Sequence, residues 1–252
     1  MTTPAALAST SGTTGLPKVA VMSHYHYVAQ SMQLYDSNDK SYEVWGLTEM
    51  GWITAFHYPE KDESGSVGRL LPGNEARIMN QHGEEEIEPR VQGEILVRGP
   101  SVMREYLDNP EATNSMLVNG WLHTGDIGYQ LAGKWYIVDR AKDLIKVRGW
   151  QVSPAELEQC LLLHPQIHDA AVIGIDFNDG RGELPRVYIA LREPTNPISD
   201  DEIRAFMNKR LSRYKTPDGG IVRIDRIPRS AAGKILKHIL REMAAKETCL
   251  SN

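Results

Sequence analysis

The segment Thr10-Ser11-Gly12-Thr13-Thr14-Gly15-Leu16-Pro17-Lys18 has the residue types needed to hold an anionic ligand. Gly12 and Gly15 let the backbone bend and come close to a ligand. Consecutive amide N–H groups and several hydroxyls can then wrap phosphate oxygens, and Lys18 adds a positive charge at the end. The segment is not a Walker loop, because Gly12 and Lys18 lack the G-x-x-x-x-G-K-[ST] spacing. By composition alone it reads equally as a flexible Ser/Thr/Gly linker. A second feature is a basic stretch from Lys209 to Arg241, with ten basic and two acidic residues. It reads as a surface that meets phosphates or as a solvated helix face with loops.

The chain that must position these residues has 252 residues, enough for one or two domains. Its 41% hydrophobic and 24% charged residues are ordinary for a globular protein and exclude a disordered tail, a collagen-like chain or a coiled coil. No stretch approaches the apolar length of a membrane helix, and Met1 to Ser9 does not read as a secretory signal. Two distant cysteines, Cys160 and Cys249, make neither a disulfide framework nor a zinc site, so a cytoplasmic location is expected. The net charge of −5 argues against nucleic acid as a partner. The charge is uneven. Residues 1–141 carry 10 Lys and Arg against 18 Asp and Glu, whereas residues 142–252 carry 18 against 15.

The fold class expected is α+β in two domains, 1–141 and 142–252. The first 60 residues show little alternation beyond a possible helix from Tyr25 to Leu34, and loose packing is expected there. Across about 64–141, runs such as Glu94–Arg98 and Lys134–Val138 lie between Gly, Pro and Asn, which predicts a small antiparallel, β-barrel-like subdomain. Residues 152–252 alternate helix and strand. Ser153-Pro154-Ala155-Glu156 and Ser199 with Glu202 read as capping boxes. Ile203, Phe206, Met207, Leu211 and Tyr214 recur at helical spacing. Strands are expected at Ala170–Ile175, Arg186–Leu191 and Gly220–Ile224, with a closing helix over Ile235–Ala245.

The Thr10–Lys18 loop resembles the phosphate-binding signature of the AMP-forming adenylating superfamily. Five more motifs follow in that family's order. Trp45-Gly46-Leu47-Thr48-Glu49 resembles its aromatic-Gly-x-Thr-Glu motif, and Gly93 to Pro100 its next signature. Gly120-Trp121-Leu122-His123-Thr124-Gly125-Asp126 is similar to the ribose-binding segment, Asp139 to Lys146 to the hinge, and Pro228 to Lys234 to the C-terminal lysine loop. The wording from Val147 to Glu156 most resembles the coumarate–CoA ligase and fungal acyl-CoA ligase branch.

The resemblance implies a remnant of the large adenylating domain followed by an α+β C-terminal lid. It implies an ATP-dependent carboxylate–CoA ligase that forms an acyl-AMP intermediate and then a thioester. ATP, Mg2+ and coenzyme A would be the cofactors and co-substrates, and a small fatty or aryl acid the substrate; no protein partner is indicated. In this reading Thr10, Ser11, Gly12, Thr13, Thr14, Gly15 and Lys18 hold phosphates. Trp45 stacks on adenine, Thr48 touches the α-phosphate and Glu49 holds Mg2+. Asp126 accepts both ribose hydroxyls with help from Arg140. Lys142 is the hinge residue. Lys146 and Gln151 reach the phosphate, and rotation of the lid exchanges Lys234 for the Gly149-Trp150 loop. Taken singly, Asp126 reads as a turn cap, Trp45 as core, and Arg140 and Lys146 as surface charges.

The chain departs from the family's pattern in three places. Val19 replaces the usual Gly, Trp45 stands where Tyr is commoner, and only residues 19 to 44 separate Lys18 from Trp45. A truncated and internally deleted ligase is therefore expected. The alternative is a non-catalytic nucleotide- or CoA-binding or interaction module derived from one.

Overall fold

The computed structural model describes residues 3–10, 18–35, 42–56, 59–60, 62–177, 180, 182–193, 198–230 and 233–250. The chain divides into two compact units, Met1–Ala141 and Lys142–Asn252, both mixtures of helix and strand.

In the first unit the elements run β1 (Pro4–Ser9), β2 (Val19–Ser23), α1 (His24–Tyr35), β3 (Tyr42–Leu47), β4 (Gly51–Phe56), β5 (Arg69–Leu70), β6 (Glu75–Met79), β7 (Glu85–Glu86), β8 (Gly93–Arg98), β9 (Glu105–Tyr106), α2 (Pro110–Met116), β10 (Leu117–Val118), β11 (Trp121–Leu131) and β12 (Lys134–Arg140). Three antiparallel sheets result. One is β1-β2-β9, one is β3-β4-β5, and the third is a curled half-barrel of order β10-β11-β8-β6-β7 with β12 on β11. The third sheet occupies the stretch read as barrel-like from its short β-prone runs.

Loose packing does not hold for the described residues of 1–60. Ala20, Met50 and Ile53 are fully buried, and they share one core with Ile95, Val97, Leu122 and Trp135 of the half-barrel. These strands are short and take their partners from distant segments, so sequence periodicity carried little trace of them. On β11 the alternation is strict: Leu122, Thr124 and Asp126 point inward. A carboxylate is thereby delivered to the buried face.

In the second unit β13 (Ile145–Val147) and β14 (Trp150–Val152) form a hairpin. Its two turn residues, Arg148 and Gly149, both have positive φ, +47° and +86°, as a tight two-residue connection of this twist requires. Then follow α3 (Pro154–Leu162), β15 (Ile167–Asp176), β16 (Glu183–Leu191), α4 (Asp200–Asn208), β17 (Ile221–Arg223) and α5 (Lys237–Leu250). The sheet order is β15-β16-β17, with the last pair parallel.

Both faces of that sheet are covered. Ala170 and Val172 pack with Leu157, Leu161, Ile203 and Met207. Ala171 and Ile173 point the other way, toward Leu240 and Ala244 of α5. This is why the strand reads as a continuous apolar run rather than an alternating one. Ser199 and Glu202 form a complete capping box, and at Ser153 the hydroxyl accepts from the Glu156 amide. The Glu156 carboxylate takes Lys215 at 2.5 and 2.6 Å. One local expectation changes. The helical spacing through Leu211 and Tyr214 breaks at Asn208, and Tyr214 sits in a separate 3-10 turn, Arg213–Lys215.

Candidate functional site

The ends of the anion-loop segment are drawn together by β1 and β2. The Thr10 amide donates to the Lys18 carbonyl at 2.8 Å, and the Lys18 amide donates to Thr10 Oγ1 at 3.0 Å. Ser11, Gly12, Thr13, Thr14 and Gly15 lie outside the described residues. The exposed Lys18 ammonium stands 5.0 Å above the centre of the Tyr106 ring.

Trp45, Thr48 and Glu49 ride on the β3–β4 hairpin. Gly46 is obligatory there, since a Cβ would come within 2.3 Å of the Gly51 carbonyl oxygen. The Met50 amide donates to the Leu47 carbonyl at 3.1 Å and closes the turn. Thr48 is left exposed at the turn while Glu49 turns inward and is buried. The Glu49 carboxylate accepts a 2.6 Å hydrogen bond from the Tyr106 hydroxyl. Burial, aided by that hydrogen bond to Glu49, pushes the Tyr106 hydroxyl well above the usual phenol range, so it remains a donor. Among the described residues no cationic side chain pairs with Glu49.

A second cluster lies around Asp126, itself buried on β11. Trp45 Nε1 donates to Asp126 Oδ2 at 2.8 Å, and Arg140 Nε reaches Oδ1 at 2.6 Å. The register of β11 and β12 sets Arg140 opposite Asp126. The Trp45 ring is only 7% exposed and belongs to the core, so its placement departs from an open stacking face.

The second unit holds the remaining candidates. Lys142, Lys146, Gly149, Trp150 and Gln151 are exposed. Cross-strand pairing sets Lys146 opposite Gln151, so both side chains leave the hairpin on one face. Trp150 stacks on Tyr214 with centroids 5.0 Å apart and planes 19° from parallel. Beside them is a cavity of about 900 Å³, lined among others by Arg148, Asn208, Arg213, Tyr214 and Thr216.

Lys234 is exposed at the end of a tight loop. The Ser230 amide donates to the Lys234 carbonyl at 2.8 Å, and the Lys234 amide donates to Ser230 Oγ at 3.2 Å. Arg229 clamps the loop from outside. Its Nε and Nη2 donate to Asp169 at 3.1 and 2.8 Å, and Nη1 donates to the Gly233 carbonyl at 2.7 Å.

The structure thus gathers Lys18 and Glu49 around Tyr106, and Trp45 and Arg140 around Asp126, all within the first unit. Lys142, Lys146, Gly149, Trp150, Gln151 and Lys234 belong to the second. Sequence reasoning missed Tyr106, Arg229 and Tyr214. Arg229 lay inside a quoted motif. Tyr106 had no local signal, because its value comes from pairing with β2.

Residues 35–107 match the AMP-binding enzyme family and residues 156–234 the AMP-binding enzyme C-terminal domain. A phenylacetyl-CoA ligase of Aspergillus niger is 46% identical over 204 residues, 79% of this chain and 38% of the relative. A nicotinic acid–CoA ligase of Penicillium canescens is 37% identical over 215 residues, 83% of this chain and 38% of the relative. The chain therefore spans about two-fifths of the length of these curated relatives. Among solved structures, an o-succinylbenzoate CoA synthetase of Bacillus subtilis with its acyl-adenylate is similar with a TM-score of 0.81 and 26% identity, covering 95% of this chain and 69% of that one.

Proposed function

We propose, for a chain that belongs to the AMP-forming adenylating superfamily and spans part of its members' length, that the two units are the nucleotide-holding part and the lid of a carboxylate–CoA ligase. In the first step a carboxylate oxygen attacks the α-phosphorus of ATP and the bond to the β-phosphate oxygen breaks, leaving acyl-AMP and pyrophosphate. In the second the thiolate of coenzyme A attacks the acyl carbon and AMP departs with the electron pair of the broken C–O bond. The observation that carries the reading is the pair of charge clusters in one unit: Lys18 and Glu49 around Tyr106, and Asp126 held by Trp45 and Arg140.

The residues divide the work by charge. Lys18, with Thr10 to Gly15, binds the terminal phosphates, and Thr48 meets the α-phosphate. Asp126, held by Trp45 and Arg140, accepts ribose hydroxyls, since an ionised carboxylate can accept several hydrogen bonds. Trp45 then serves chiefly to orient Asp126. Lys234 neutralises charge as carboxylate and α-phosphate approach. Lys146 and Gln151 support the phosphate, Lys142 is the hinge, and the Gly149-Trp150 turn replaces Lys234 for the thiol step.

Glu49 fits Mg2+. It is a buried carboxylate with one neutral donor and no cationic partner among the described residues, and a hard dication prefers such oxygen. No group of three or more acidic, His or Cys side chains gathers among the described residues, so Glu49 would share the ion with phosphate oxygens. Bound there, Mg2+ supplies charge neutralisation on the phosphates.

The relatives' names support a fatty or aryl acid substrate, with an aryl acid favoured. They also support ligation over a module that only binds nucleotide or CoA. Two distant cysteines support a cytoplasmic setting. Among the described residues no helix is long and apolar enough to cross a membrane. The test is calorimetry with MgATP, followed by pyrophosphate release with phenylacetate and mass detection of the acyl-AMP. Pyrophosphate release dependent on the acid is expected. MgATP binding without pyrophosphate release would favour the binding module, and no binding at all would overturn both.

A further inference from the structure

We infer that Tyr106 is a positioning residue that holds Lys18 and Glu49 apart, so that one stays available for phosphate and the other for the metal. The assignment of those two partners rests on the function proposed above; the spacing does not. Lys18 ends the anion loop and begins β2, and Glu49 lies in the turn between β3 and β4, two segments far apart in sequence. The short strand β9 joins them. Tyr106 pairs with Ala20 of β2, and the Leu107 amide donates to the Val19 carbonyl at 2.8 Å. The Met103 amide, just before β9, donates to the Glu49 carbonyl at 2.7 Å. The backbone around Tyr106 thus bonds to Glu49 itself and to Val19, the residue after Lys18.

The side chain completes the arrangement. The Tyr106 ring, 3% exposed, offers its face to the Lys18 ammonium and its hydroxyl to the Glu49 carboxylate. A cation and a carboxylate that met on the two sides of this residue without a spacer would form an ion pair, which occupies both charges. The aromatic face attracts the ammonium, and the hydroxyl takes one carboxylate oxygen without neutralising it. Neither Lys18 nor Glu49 enters an ion pair among the described residues. A ring of this length is the simplest neutral spacer that satisfies both. Phe would leave Glu49 without its donor, and an aliphatic residue would leave the ammonium without its π-face as well.

Two measurements on the full chain test this. The first needs no ligand. Lys18→Met and Glu49→Gln are combined in a thermal-unfolding cycle in the native background and again with Tyr106→Leu. Additive effects are expected natively, and a non-additivity of about 2–4 °C once the spacer is gone. Coupling already present natively, or absent from both backgrounds, overturns the spacer. If Tyr106→Leu does not fold, the same cycle is run with Tyr106→Met, which also removes the ring and keeps more apolar bulk.

The second measurement uses Mn2+ with ATP, followed by water-proton relaxation. Tyr106→Phe is expected to weaken Mn2+–ATP binding roughly tenfold while leaving metal-free ATP binding unchanged, a split that general loosening would not produce. Equal Mn2+–ATP binding by native chain and Tyr106→Phe overturns the metal-side role. Failure of the native chain to bind Mn2+–ATP counts against the proposed function, and the unfolding cycle still decides the spacer.

Discussion

Removing the indole N–H by Trp45→Phe isolates the bond that fixes Asp126. The ring and most of its buried contacts stay, while the 2.8 Å donor to Asp126 Oδ2 disappears. The Asp126 side chain is 6% exposed and keeps Arg140 at 2.6 Å, but the Arg140 side chain is 40% exposed and solvent-screened. A hydrogen bond to a buried charged group contributes about 1.5–3 kcal/mol, and partial compensation by Arg140 places Trp45→Phe near ~2 kcal/mol. Asp126→Ala leaves the buried indole N–H without an acceptor, costing about 1–3 kcal/mol, and strips a screened partner from Arg140 for less than ~1 kcal/mol. The two losses share one bond, so the double variant should cost less than their sum by about 1.5 kcal/mol or more. Urea unfolding followed by near-UV circular dichroism reads this directly, with the slopes checked for constancy. Additivity within ~0.5 kcal/mol would show that the bond does not fix Asp126, and the account of a pinned ribose carboxylate would fall.

Three further outcomes follow from the geometry. Lys234→Ala should slow pyrophosphate release by roughly 10²–10³ while leaving thioester formation from synthetic acyl-AMP unchanged, and equal slowing of both steps would refute the lid exchange. Arg229→Lys keeps the charge but cannot fork between Asp169 and the Gly233 carbonyl. Pyrophosphate release should fall roughly tenfold with the unfolding midpoint nearly unchanged, because both side chains are partly exposed. Burial lowers the pKa of the His26 imidazole below its ordinary 6.5, against a smaller opposing effect of its bond to the Ser101 carbonyl. The unfolded chain therefore binds more protons, so this contribution is full above about pH 6.5 and is lost as pH falls below it. His26→Gln should flatten the loss of stability between about pH 7.5 and pH 5.5, and an unchanged slope would discount His26.

The second unit was largely legible in the sequence because its signals are local. A capping box at Ser199 and Glu202, Pro at the start of α3 and an uninterrupted apolar run each act within a turn or strand of themselves. The error occurred where a side chain had a better distant partner. The helix through Met207 ends before Tyr214, whose ring stacks on Trp150. In the first unit almost every consequential contact is long-range. β3 and β4 bury Trp45 and Ile53 against strands from elsewhere in the unit, and no periodicity in residues 1–60 foretells it.

The same distinction governs the site. Motif order named Glu49, Asp126 and Lys234, but not what each leans on. Asp126 was legible as an acceptor, yet its burial follows from the inward phase of β11, and its orientation from an indole in another sheet. Trp45 was expected to offer a flat face. Its N–H finds a buried carboxylate, and an apolar ring with one satisfied donor is more stable in the core than half in water. Tyr106 lies outside every motif because its role needs two partners, Lys18 and Glu49, that come together only once β9 has paired with β2. Groups that touch a ligand are constrained by chemistry and leave short patterns. Groups that hold them are constrained by packing, and many residue types pack, so their roles emerge only with the pairing of strands.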